Sequence, residues 1–211
     1  MWGVIINRFK QGFRTLSYPK EVPAFPQRFR GRPIIRRTEE KISLDKDKDP
    51  LGAVELEKNP TVDMGKCLFN ENMKAVCPKE ILTYSNDHRM AVSKKEDLIL
   101  YNDEVKLAAA LDEKTKRIFG RSLKLREVCA GSCSGCDAEI QAMGNVVFDL
   151  SRFGIQFVAS PRHADGLMIT GPVTKNMETA LKKTYEAVPH PKIVIAVGAC
   201  AISGGPFQNG K

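Results

Sequence analysis

Hydrophobic positions in the opening stretch, MWGVIINRFKQGFRTLSYP, recur at helical spacing. At about 100° per residue, Trp2, Ile5, Ile6, Phe9, Phe13 and Leu16 share one face, with Arg8, Lys10 and Arg14 outside it. Such a stripe suits a helix at a lipid interface or on a membrane-bound partner, and equally a helix packed on its own domain. Pro19, Pro23, Pro26 and Pro33 exclude regular structure through YPKEVPAFPQRFRGRP, so residues 1–33 read as an amphipathic helix followed by an extended arm running over a surface. Residues 34–102 hold short strands and turns, among them GAVELE and MAVSKKEDLILY, and form a small α+β domain. A connecting helix is predicted over 103–120, capped by Asp103, with Val105, Leu107, Ala108, Leu111 and Ile118 as its apolar positions and Gly120 as its stop.

From 121 to 211 the pattern changes to strands alternating with helices: LKLREV, a helix over 137–151, IQFVAS, GLMITG, a helix over 176–187, and KIVIAVGA. A strand as apolar as IVIAV, set between helices, predicts an α/β domain with a parallel sheet covered on both faces.

Composition narrows the function classes. No apolar run approaches the roughly 18 residues that cross a bilayer, and the short WGVII followed by basic residues lacks the secretory pattern, so a cytoplasmic location is expected. Six cysteines at short spacings in a reducing compartment point to metal rather than disulfides. The net charge of +8 is local: residues 1–37 carry nine Lys/Arg and one Glu, which accounts for all of it. A basic arm on a neutral body has no recognisable nucleic-acid recognition element, and no nucleic-acid partner is expected.

Three cysteines, Cys129, Cys133 and Cys136, stand in CAGSCSGCDAEI, and Cys200 stands in VGACAISGG. Each group follows a predicted strand, and loops at the carboxyl ends of parallel strands are where open α/β sheets place ligands. Gly131, Ser132, Ser134, Gly135, Gly204 and Gly205 let the backbone approach a bulky iron-sulfur cluster and aim N–H groups at its sulfides. Zinc on the same thiolates, or a redox dithiol at Cys133 and Cys136, are the competing chemistries. Glu139 reads as an acid favoured by a helix N-terminus, Thr174 or Asn176 as a helix cap, and His88, His163 and His190 as surface residues.

Earlier in the chain, CLFNENMKAVCP keeps the frame of a bacterial ferredoxin run, whose cysteines stand at relative positions 0, 3, 6 and 10 before a proline. Those places hold Cys67, Asn70, Met73, Cys77 and Pro78, so two of four ligands remain and the thiols are expected to be buried or free.

AGSCSGCDAEIQA, GIQFVASPRHADGLMITGPVTKNM and KIVIAVGACAISGG, in that order, closely resemble the small subunit of membrane-bound, energy-converting nickel-iron hydrogenases of the formate hydrogenlyase type. That family is related to the 20 kDa iron-sulfur subunit of respiratory complex I. The resemblance implies a flavodoxin-like fold and one 4Fe-4S cluster beside a catalytic large subunit, with Cys133 and Cys136 matching the first two ligands and Cys200 the third. The family's fourth ligand comes from a later Gly-Cys-Pro-Pro segment, absent before Lys211, so the domain is expected to be shortened at its C-terminus, with Cys129 as a possible fourth ligand.

YPKEVPAFPQRFRGRP, DMGKCLF and CPKEILTYSND resemble the two-cluster ferredoxin subunit of the same complexes. Counting back from Pro50, the first motif's ligand places are Glu39, Ile42, Asp45 and Asp49, none of them cysteine, so no cluster is expected in this ferredoxin-like region. The resemblance implies an electron-transfer subunit without turnover of its own, in a multisubunit complex on the inner face of the cell membrane. Its partners would be the large subunit and the complex's other hydrophilic and membrane subunits, with peripheral membrane contact through residues 1–33. The alternative is a structural or assembly subunit that has lost competent cluster sites.

Overall fold

The computed structural model describes residues 2–36, 49–56, 60–70, 81–101, 120 and 122–208. Helix α1 (Trp2–Gln11) opens the chain, and none of its residues is buried; Trp2 is 78% and Phe9 83% exposed. Gly12 takes φ +61°, a left-handed turn suited to glycine, and its N–H donates to Arg8 O at 3.3 Å. The helix therefore ends before the predicted stripe does, and Phe13 and Leu16 lie off it. Leu16 N–H instead donates to Val147 O (2.9 Å), and the Thr15 hydroxyl donates to Val146 O (2.8 Å). The extended arm lies on the chain's own α/β domain, while α1 keeps its apolar face exposed.

Beyond that anchor, Arg152 Nη2 donates to Tyr18 O (3.0 Å), and Tyr18 packs edge-on against both His88 and Phe153. Phe25 stacks on Phe29 and leans on His88, so the arm roofs an apolar cavity of about 270 Å3 between the N-terminal unit and the α/β domain. His88, expected at the surface, is half-buried there because the aromatic arm covers it.

The N-terminal unit contains two antiparallel sheets among the described residues. Strands β1 (Pro33–Ile35) and β4 (Leu82–Tyr84) form one; β2 (Val54–Glu55), β3 (Thr61–Asp63) and β5 (Ile99–Tyr101) form the other, in the order β2-β3-β5. Pro33 is tolerated because it is the first residue of a two-stranded ribbon, where its missing N–H costs little. Ile35, Ala53, Val54, Val62, Cys67, Ile81 and Leu82 make one core, and Met64, Leu98 and Leu100 a second. Met73, Cys77, Pro78, Glu39, Ile42, Asp45 and all of the predicted connecting helix except Gly120 lie outside the described residues.

The α/β domain runs β6 (Leu123–Cys129), α2 (Gly135–Ala142), β7 (Ile155–Phe157), β8 (Gly166–Thr170), α3 (Lys175–Ala187), β9 (Ile193–Val197) and α4 (Ala199–Ser203). All pairings are parallel in the order β7-β6-β8-β9, the 2-1-3-4 succession of a flavodoxin-like sheet. Leu125 and Met168 face Ile140 of α2, whereas Val128 and Leu167 face Met177 and Leu181 of α3, so both faces are covered as expected. The helix predicted over 137–151 stops at Ala142. The Asn145 side chain accepts the N–H groups of Val147 (2.8 Å) and Phe148 (3.1 Å), giving the backbone a turn in place of further helix.

Candidate metal centre

Strands β6 and β8 neighbour each other at the point where strand order reverses, and their carboxyl ends carry the site. Ala130 N–H donates to Thr170 O (2.8 Å) and Thr174 N–H to Ala130 O (3.1 Å), tying the first turns after both strands. The loop then runs from Gly131 (φ +93°) to Ser134, a non-glycine residue with φ +66° just before α2. A side chain at Gly131 would collide with Thr174, so Thr174 occupies the space that glycine leaves. Thr174 stands at the N-cap of α3, as expected, but makes no side-chain cap.

The acid that organises this loop is Asp137, not Glu139. Asp137 is only 7% exposed and accepts hydrogen bonds from the Ser132 hydroxyl (2.5 Å) and from the Thr170 hydroxyl at the end of β8. Those two donors hold its carboxyl below the usual carboxylate range despite burial. Ser132 Oγ also accepts Ser134 N–H (3.0 Å), so one carboxylate fixes the loop between Cys129 and Cys136 to the sheet. Glu139 is exposed. An acid in the first helical turn was visible in the sequence; its burial between two hydroxyls depends on residues 5 and 33 positions away.

Cys129 and Cys133 are exposed, and Cys136 and Cys200 are partly buried. A side chain on Gly198 would collide with Cys136 Sγ; Gly198 adopts φ +86° and lies two residues before Cys200. A Cβ on Gly205 would stand 3.0 Å from Cys200 Sγ. The fold thus brings the Cys136 thiol against the loop that bears Cys200, with glycine on both sides. Burial raises the Cys136 pKa first, and the neighbouring Cys133 and Cys200 raise it further, so thiolates here repel one another and would be relieved by a bound cation. Thiols are the donors an iron-sulfur cluster takes, and glycine at 198 and 205 leaves the Cys136 and Cys200 thiols space that a Cβ would fill. As they stand, no group of three or more His, Cys, Asp or Glu among the described residues is assembled to hold a single metal ion.

The exposed Cys129 thiol stands 3.2 Å from Ser132 Oγ. It borders a cleft of about 450 Å3 shared with Arg126, Glu127 and Gln141. Glu127 is pushed upward, first by burial and then by Asp137. In the N-terminal unit, Cys67 is 2% exposed and accepts Phe69 N–H at 3.4 Å; burial pushes its thiol up. Asp49, at a ligand place of the degenerate first motif, is buried and accepts Val54 N–H (2.8 Å), fastening β2. Both residues serve packing here. His163 and His190 are exposed.

Residues 133–211 match the family described as NADH ubiquinone oxidoreductase, 20 Kd subunit, a match that begins at Cys133 itself. A probable membrane-bound hydrogenase subunit of Pyrococcus furiosus is 50% identical to the chain over 91 residues, which are 43% of the chain and 54% of that protein. Formate hydrogenlyase subunit 7 of Escherichia coli is 44% identical over 103 residues, 49% of the chain and 39% of that protein. An NADH-quinone oxidoreductase subunit of Bacteroides thetaiotaomicron is 46% identical over 92 residues, 43% of the chain and 46% of that protein. The chain spans about half the length of the curated relatives it matches. Among the described residues, no helix is long and apolar enough to cross a membrane.

Proposed function

We propose that the chain is an electron-transfer iron-sulfur subunit of a membrane-associated, hydrogenase-like or complex I-like oxidoreductase. Cys133, Cys136 and Cys200 would hold one 4Fe-4S cluster beside a catalytic large subunit, with Cys129 as a candidate fourth ligand. The observation that carries this reading is the meeting of Cys136 with Gly198, which draws two strand-end cysteine loops together. A cluster bound there would take up and release single electrons at a potential set by nearby hydrogen bonds and charges. The chain's own residues would do the positioning. Asp137 fastens the Cys133–Cys136 loop through Ser132 and Thr170, and Gly198 and Gly205 leave room beside the thiols.

The names of the relatives, each a subunit of a hydrogenase, a formate hydrogenlyase or an NADH-quinone oxidoreductase, support a multisubunit setting; the partners in this reading would be a large subunit and further hydrophilic and membrane subunits. The exposed apolar face of α1, beside Arg8 and Lys10, supports peripheral contact of residues 1–33 with the inner face of the membrane. The N-terminal unit reads as a ferredoxin-like domain; of its ligand places among the described residues, Cys67 and Asp49 are buried in its core. Serine replacement at Cys133 or Cys200 tests the proposal: electron transfer should fail while the complex still assembles.

A second reading, a structural or assembly subunit, is favoured by one observation, that the described thiols are not gathered into a ready ligand group. Under that reading the same serine variants keep wild-type electron transfer.

A further inference from the structure

Among the described residues, the N-terminal unit keeps Cys67 in its own first core, yet a residue two positions after Cys200 completes the unit's second core. Ile202 of α4 packs with Met90 and Val92 against Met64, Leu98 and Leu100. At the centre of this contact is Gly65, where an added Cβ would stand 2.8 Å from Ile202 Cγ2 and 3.1 Å from Leu98 Cδ1. Glycine at 65 is what lets the backbone of one unit press on the β-branched side chain of the other. A methyl branch at Cβ cannot swing aside as a long side chain would, so the contact is stiff.

Ile202 is coupled to Cys200 through a single helical turn. Ala201 and Ile202 donate their N–H groups to Gly198 O (3.1 Å each), Gly204 N–H donates to Cys200 O (3.0 Å), and the Ser203 hydroxyl donates to Ala199 O (2.9 Å). With all of these bonds made inside 198–204, a displacement of Ile202 carries Cys200 with it. The other cysteine loop has a different anchor: Ser132 and Thr170 tie it to Asp137 within the α/β domain.

We propose that the N-terminal unit positions the Cys200 thiol through the Gly65–Ile202 contact, with Ile202 as a positioning residue for the third cluster ligand. The word ligand rests on the function proposed above; the mechanical joint does not. It gives the ligand-poor N-terminal unit a part in electron transfer, since a shift between the two units reaches the site at Cys200 and leaves Cys133 where it is.

The test is iodoacetamide labelling of the full-length, reduced, anaerobic protein, read at each cysteine by peptide mass spectrometry. Ile202→Ala and Gly65→Ala should each raise the labelling rate of Cys200 by about tenfold, equivalent to about 1.4 kcal/mol of lost local protection, with Cys133 changed by less than about twofold. Ile202→Val, which keeps the β-branch, should stay near the wild-type rate. An unchanged Cys200 rate in Gly65→Ala and Ile202→Ala overturns the proposal. So does an equal rise at Cys200, Cys133 and buried Cys67, which would mean general loosening. If Ile202→Ala does not fold, Gly65→Ala and Ile202→Val decide by the same ratios. Iron measured separately on reconstituted wild-type protein tests the ligand reading: iron-free protein with Cys200-selective labelling would leave the joint standing and remove the cluster.

Discussion

Replacing Asp137 with Asn tests whether a buried charge holds the cysteine loop. The carboxylate accepts from Ser132 and Thr170 while almost fully buried, so both bonds are charge-assisted in a medium that strengthens them. An asparagine of the same shape keeps one acceptor oxygen and turns an amide group toward the second hydroxyl. Charge-assisted bonds contribute about 1.5–3 kcal/mol and neutral ones about 1 kcal/mol, so the exchange should lower stability by about 2 kcal/mol near neutral pH. The sign with pH follows from Asp137 titrating below its unfolded-state value. Its contribution is complete above about pH 3.9 and is lost as pH falls through the lower folded-state value. The gap between wild type and Asp137→Asn should therefore be open at neutral pH and narrow in acid. Urea unfolding followed by far-ultraviolet circular dichroism is the suitable assay, because the single tryptophan, Trp2, sits on exposed α1 and does not report on the sheet. A gap that is absent at neutral pH, or that stays constant into the acid range, would refute the charge-based account.

Gly198→Ala places a methyl group against Cys136 Sγ at a backbone geometry nearly reserved for glycine, and should cost about 2 kcal/mol while lowering iron uptake on anaerobic reconstitution. Cys67→Ala should cost about 1–2 kcal/mol in a urea titration, because the thiol fills the first N-terminal core, and should leave iron per chain unchanged. Asp87, held well below the carboxylate range first by the Arg89 guanidinium and its backbone N–H and further by Arg32, should contribute about 1 kcal/mol after solvent screening. That contribution is present above about pH 3.9 and lost as pH falls through the lower folded-state value, so Asp87→Asn should match wild type in sufficiently acid buffer.

The parallel sheet was legible from its apolar runs: LKLREV, GLMIT and IVIAV carry β6, β8 and β9 close to where those runs lie, although only β8 is buried on both faces and β9 is alternately exposed. Helix ends were less so. Asn145 and Gly12 each offer the backbone a local alternative, and that competition cut short both the predicted 137–151 helix and the N-terminal stripe. The two cysteine loops could be paired from their positions after strands, but Asp137 could not be separated from Glu139 by spacing alone. Which acid turns inward is set by Thr170 on another strand. The arm's destination was also hidden, since backbone bonds such as Leu16 N–H to Val147 O leave no side-chain signature. The Gly65–Ile202 joint was equally invisible, being one glycine and one isoleucine from distant segments.

The central claim, a cluster at Cys133, Cys136 and Cys200, is tested most directly by iron and acid-labile sulfide analysis of the chain purified anaerobically within its complete complex. The account predicts about four irons per chain, a broad absorption near about 400 nm that bleaches on reduction, and loss of both in Cys200→Ser. Iron-free protein from an intact complex would contradict it.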